Sequence, residues 1–80
     1  MNLNKAFAIR LSKLLVEKNI SKYRLEKDSG ISHSALRYIF NEVNNDVKFS
    51  TIVKVCDVLN ISLKDFFDDD IFKMSNLQID

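Results

Sequence analysis

One histidine and one cysteine, His33 and Cys56, are the chain's entire stock of imidazole and thiol. A tetrahedral zinc site draws its ligands mainly from those two types, so no such set can be assembled within one chain. The lone thiol excludes an internal disulfide framework and fits a reducing compartment. Cys56 falls among Val55 and Val58 on an apolar stripe, where a buried, inert thiol is expected rather than a nucleophile. Asp28, His33 and Ser34 are the residue types of a hydrolytic triad, but closeness in sequence is no evidence of triad geometry. With one glycine in 80 residues, no glycine-rich loop exists to cradle a phosphate or to build an oxyanion hole. The expectation is a protein that is not an enzyme and uses no metal and no cofactor.

The remaining chemistry is hydrogen bonding. Counted from Ser32 at helical spacing, His33, Ser34, Arg37, Tyr38 and Asn41 share one stripe, and Leu36, Ile39 and Phe40 lie opposite. Arginine presents a donor pair that matches guanine O6 and N7, a contact worth about 1–3 kcal/mol of discrimination. Ser34 and Tyr38 donate or accept, the tyrosine ring can also meet a thymine methyl, and His33 does either according to its tautomer. These five are the candidate base-contacting residues. Lys22, Arg24, Ser32, Asn44, Asn45 and Lys48 flank the stripe and suit phosphate oxygens, contacts that position a protein on a duplex without reading its sequence.

The elements that would position them are helices. Leu3, Phe7, Leu11, Leu14 and Leu15 recur at helical spacing, with Lys5, Arg10, Lys13 and Glu17 between them. Ser21, Ser32, Ser50 and Ser62 each stand where a hydroxyl can cap a helix start. Three of these starts carry a hydrophobic staple as well: Ile20 with Leu25, Ile31 with Leu36, and Ile61 with Phe66. At the fourth, Phe49 meets Lys54, so that start rests on Ser50 alone. The predicted helices are Asn4–Lys18, Lys22–Ser29, His33–Phe40, Thr51–Leu59 and Leu63–Phe67. The fold class expected is all-α, a compact bundle of about five short helices.

Eighty residues make one domain, and 46% hydrophobic content supports an apolar core without staples. No segment reaches the roughly 18 apolar residues of a membrane span and Met1–Arg10 has no signal-peptide core, so a soluble, cytoplasmic chain is expected. Net charge is +1, but its distribution is uneven. Up to Lys48 there are 9 Lys/Arg against 5 Asp/Glu (9 − 5 = +4), and from Phe49 onward 3 against 6 (3 − 6 = −3). A basic half and an acidic half offer a phosphate backbone one end of the domain.

Gly30-Ile31-Ser32 joins two predicted helices of eight residues. A helix pair around a short, glycine-containing turn is the helix-turn-helix signature. The run ISKYRLEKDSGISHSALRYIF, followed by VKFSTIVKVCDVLNISLKDFF, resembles the Cro and phage-repressor type of helix-turn-helix regulator over roughly Phe7–Phe67. The resemblance implies a five-helix domain that binds operator DNA as a dimer, with His33–Asn41 in the recognition helix. Four positions depart from the family pattern. Glu26 replaces a small residue where the two helices approach, which would turn its side chain outward or open the angle. Leu15 and Phe40 replace a buried arginine–glutamate pair, an exchange that keeps the contact as packing. Glu42 replaces a glycine after the recognition helix.

The chain thus reads as a helix-turn-helix DNA-binding domain over residues 1–67 and a tail over 68–80. The tail's Ile71, Phe72, Met74, Leu77 and Ile79 follow an acidic run, Asp68–Asp70, and have no evident core slot. They are candidates for a dimerisation extension. The expected function is sequence-specific binding of double-stranded DNA by a small homodimeric transcriptional regulator. The alternative is a protein-interaction module on the same fold, such as an antitoxin-like or phage-accessory partner.

Overall fold

Asn2 begins the first helix: its side chain accepts a 2.8 Å hydrogen bond from the Lys5 N–H, satisfying a donor that has no partner within the helix. The computed structural model describes residues 1–41 and 47–78. These form α1 (Leu3–Lys18), α2 (Lys22–Ser29), α3 (His33–Phe40), α4 (Phe49–Leu59) and α5 (Leu63–Phe67), followed by single 3-10 turns at Asp70–Phe72 and Met74–Asn76. Among the described residues there is no strand. The all-helical class and the bounds of α2, α3 and α5 match the sequence expectation.

Three corners are built on one plan: a residue in left-handed conformation, an isoleucine, then a capping serine. Asn19 (φ 55°), Gly30 (φ 72°) and Asn60 (φ 55°) are the left-handed residues. After Asn19 the Ile20 N–H reaches back to the Leu15 carbonyl at 2.9 Å, and after Asn60 the Ile61 N–H reaches Cys56 at 3.1 Å, closures of the Schellman kind. The serines Ser21, Ser32 and Ser62 then accept from Arg24, Ala35 and Asp65 N–H groups at 3.0, 3.1 and 3.0 Å. The isoleucines and their staple partners Leu25, Leu36 and Phe66 all lie in the core or against it. Asparagine is the commonest non-glycine residue to accept this backbone, so the asparagines at 19 and 60 do the work that Gly30 does at the central turn.

The start of α4 departs from expectation. It begins at Phe49, with Lys48 as a cap residue that makes no side-chain hydrogen bond. Ser50 therefore lies inside the first turn and is not a cap. The staple sets this start in place of a serine: Val47 precedes the cap residue, and Ile52 stands four after it. Ile52 is buried and Val47 packs against the core. Counting from Ser50 shifts that pairing onto Phe49 and Lys54, both exposed.

Phe66, Leu11, Leu25, Leu59 and Val55 are the largest fully buried side chains. Around them α1 packs on α3, α2 on α4, and α4 on α5. The apolar stripe of α1 outruns this core by a turn, because Leu3 is 58% exposed while burial begins at Ala6 and Phe7.

The tail has a place on the core after all. Phe72 packs its ring 5.0 Å from Phe67 and 6.1 Å from Phe66, centroid to centroid, and Phe66 in turn lies 5.1 Å from Phe7. Ile71 and Leu77 are half-buried, and Met74 is 66% exposed. Arg10 ties this end together. Its guanidinium donates to the carbonyls of Phe66 and Asp65 at 2.8 Å each, and faces the Asp69 carboxylate at 3.4 Å. Lys13 faces the same carboxylate at 3.4 Å. The chain ends meet as well, with the Met1 ammonium donating to the Asn76 carbonyl at 3.0 Å and the Gln78 N–H donating to the Met1 carbonyl at 2.7 Å.

Two stability predictions follow from these contacts. A Cβ at Gly30 would meet nothing within 4 Å, so substitution there is penalised through backbone conformation alone. Gly30→Asn is expected to melt within a few degrees of wild type, and Gly30→Ala to lose about 1 kcal/mol, the lower end of the left-handed penalty for residues with a Cβ. Equal losses for both in thermal melts would contradict this account. Asp69 supplies the second. The Ile71 N–H does most to hold its carboxyl below the usual carboxylate range; partial burial opposes that, and Lys13 and Arg10 reinforce it. A depressed folded-state pKa stabilises above the unfolded-state value and is lost as pH falls through the depressed range. Asp69→Asn is therefore expected to be less stable than wild type at neutral pH, with the gap closing below about pH 4. Urea unfolding across pH 2–7 measures it.

Candidate nucleic-acid interface

The α2–α3 corner turns one face of α3 inward and the other out. Leu36 and Ile39 are buried and Phe40 is half-buried against the core. His33, Ser34, Arg37, Tyr38 and Asn41 are all exposed, as one continuous arc on the opposite side. The five expected base-contacting residues are thus brought together on one surface. Arg37 is exposed and makes no ion pair among the described residues, and its guanidinium carries five donors suited to an external acceptor. Tyr38 is 50% exposed.

The candidate phosphate contacts fall into three groups. Lys22 and Arg24 are exposed on the first turn of α2, each with a local partner. The Lys22 ammonium sits 4.1 Å above the centre of the Phe40 ring, a cation–π contact, and Arg24 pairs with Asp28 one turn on at 3.4 Å. Ser32 commits its hydroxyl as acceptor to the Ala35 N–H, which leaves its own O–H free to donate. Lys48 is exposed at the cap of α4. Asn44 and Asn45, with Glu42, lie outside the described residues.

A groove runs between α3 and the first turns of α4, and Ser34, Tyr38, Lys48, Ser50, Thr51 and Lys54 line it. The sequence assigns Ser50 to a cap and gives Thr51 and Lys54 no role at a nucleic-acid surface. With the helix starting at Phe49 they share the face that meets this groove; with a start at Thr51, Ser50 is consumed as a cap. The staple of Val47 with Ile52 was the signal that would have found them.

Glu26 neither swings away nor leaves the corner. It is half-buried, and its carboxylate lies 3.1 Å from His33 Nδ1, linking α2 to the first residue of α3. Asp28 pairs with Arg24 instead, so the Asp28, His33, Ser34 set forms no relay through the imidazole. Leu15 is buried and Phe40 half-buried where α1 packs on α3, so this helix contact survives as packing. Burial raises the Cys56 thiol pKa, which suppresses the thiolate. Among the described residues no three metal-ligating side chains come together, and no helix is long and apolar enough to cross a membrane.

The arrangement is an exposed row of hydrogen-bonding side chains along α3, flanked by cations and by the first turns of α2 and α4. An α-helix of this kind fits the width of a B-DNA major groove. In a comparison with protein families, the model of the Cro/C1-type HTH DNA-binding domain matches residues 10–70. Searches of curated proteins and of solved structures returned no match.

Proposed function

The chain belongs to the Cro/C1-type helix-turn-helix family, and from that premise we propose that it is a cytoplasmic, sequence-specific transcriptional regulator that lays α3 in the major groove. The observation that carries this reading is the exposed arc of His33, Ser34, Arg37, Tyr38 and Asn41 on the face of α3 turned away from the core. In helix-turn-helix proteins the second helix reads base edges and the first crosses the backbone. Arg37 is assigned to a guanine edge. Lys22, Arg24, Ser32 and Lys48, with Ser50, Thr51 and Lys54 across the groove, are assigned to phosphates on the two sides of α3. Asn44 and Asn45 belong to the same proposal on sequence grounds.

One such unit buries too little DNA surface for high specificity, so we assign the active form as a homodimer on two half-sites about 34–36 Å apart. The proposed contact is α5 and the tail. Leu63 and Phe67, one turn apart on α5, and Met74 leave apolar surface exposed there. The tail is built into the fold through Asp69 and Phe72, so truncating it would test folding rather than dimerisation. Point changes at exposed positions separate the two.

Selection from a randomised duplex pool, followed by affinity measurements across a salt series, tests the reading. A recurring two-fold site is expected. Arg37→Ala should lose about 1–3 kcal/mol on that site and relax preference at one base pair, whereas Lys48→Ala should weaken all sequences alike and reduce the salt slope by about one unit. Weak binding equal for all duplexes would overturn it. For the dimer, Met74→Glu and Leu63→Glu are expected to shift sedimentation toward monomer with little change in melting temperature. A chain that is monomeric at operator-binding concentrations, or dimers indifferent to both changes, would refute the assignment of this surface.

A further inference from the structure

Glu26 and His33 make a side-chain hydrogen bond that joins the two helices of the corner at the proposed reading surface, beside the contact of Lys22 with the Phe40 ring. A carboxylate can only accept a hydrogen bond, so the 3.1 Å contact between Glu26 Oε2 and His33 Nδ1 requires the proton on Nδ1. Which ring nitrogen carries the proton is set by the bond the other one makes. In the neutral imidazole Nε2 is then left as a bare acceptor. It belongs to a side chain that is 71% exposed, at the first position of α3, while the Glu26 side chain is only 33% exposed. The ring is anchored on the protein side and open on the solvent side. The other charged or titratable groups lining this hollow are Lys22 and Tyr23 from α2 and Arg37 from α3, and none of them is within bonding distance of either ring nitrogen.

We infer that Glu26 is a positioning residue that locks His33 in one tautomer, so that its free Nε2 selects an amino group on a base edge, adenine N6 or cytosine N4, at the base pair met by the start of α3. Guanine O6 and N7 and thymine O4 are acceptors in the major groove, and a locked acceptor facing them leaves two lone pairs opposed. The inference rests on the DNA-reading function proposed above. It adds a direction of preference at one position, and it gives a reason for a carboxylate to stand beside a phosphate-binding surface that it would otherwise repel.

Glu26→Gln is the diagnostic change, because an amide of the same shape can either accept from Nδ1 or donate to it, which frees the tautomer and preserves the packing. Nitrogen-15 spectra of the imidazole in the free 80-residue chain, recorded with the ring neutral, should show wild type protonated at Nδ1 and Glu26→Gln as a mixture of tautomers. In pool selection, wild type should prefer adenine or cytosine at one position by roughly tenfold, equivalent to about 1.4 kcal/mol. Glu26→Gln should reduce that ratio several-fold at that position alone, while raising affinity for all duplexes as a charge is lost. In a His33→Ala background the same change should leave the ratio untouched, closing a double-mutant cycle. A wild-type ring protonated at Nε2 overturns the inference whatever the pool shows. The expected tautomer with selective binding that ignores Glu26→Gln overturns the readout. No selective binding at all overturns the function on which it rests.

Discussion

Burial of Leu25, Leu36 and Ile39 is what allows α2 and α3 to exist. Each helix has eight residues, well below the roughly 12–15 at which an isolated helix becomes even marginal in water. Neither a disulfide nor, among the described residues, a metal cluster supports them. Their stability is tertiary: Leu25 is fully buried where α2 meets α4, and Leu36 and Ile39 are buried where α3 meets α1. Burying a leucine or isoleucine side chain contributes roughly 1.5–3 kcal/mol, comparable to the cost of ordering one or two residues of backbone. The inner face of α3 is therefore committed to packing, and its outer face is left for binding by the same rotation of the helix.

The corners determine how accurately that rotation is set. A left-handed residue ends one helix, an isoleucine inserts into the core, and a serine opens the next helix. At the central turn these are Gly30, Ile31 and Ser32. The isoleucine pins the chain at the point where direction changes, so the angle between α2 and α3 is held by core packing as well as by local hydrogen bonds. Repeating the plan at Asn19 and Asn60 lets a chain with one glycine and no proline make two further tight helix–helix turns.

Polar side chains on this small molecule join elements together. Arg10 satisfies two carbonyls at the end of α5 and holds Asp69 against α1, which draws the acidic run back onto the basic half of the chain. Lys22 covers the face of the Phe40 ring. Glu26 reaches from α2 to the first residue of α3. The Lys22 and His33 side chains are exposed, and exposed contacts of this kind contribute little stability singly. Their consequence lies in geometry, because each restrains a side chain or a turn at the edge of the binding face.

The sequence alone determined the helical class, the bounds of α2 and α3, the turn at Gly30 and the outward arc from His33 to Asn41. All of these rest on signals spanning a few residues: a serine and an isoleucine in fixed order, or apolar residues repeating with the helix. Where two local signals competed, at Ser50 and at Val47 with Ile52, the hydroxyl was the wrong guide because burial of Ile52 outweighs one cap, and Ser50, Thr51 and Lys54 were missed with it. The tail was illegible for a different reason. The hydrogen bonds that tie it to α1 and Met1 join residues 56 to 77 apart in the chain, and no periodicity within Asp68–Gln78 records the position of Arg10 or Phe7. Only the tertiary structure decided that Phe72 has a core slot, that Asp69 is an anchor, and that Glu26 faces His33. Local chemistry specifies helices and turns, whereas a contact between distant residues exists only once packing has brought their helices together.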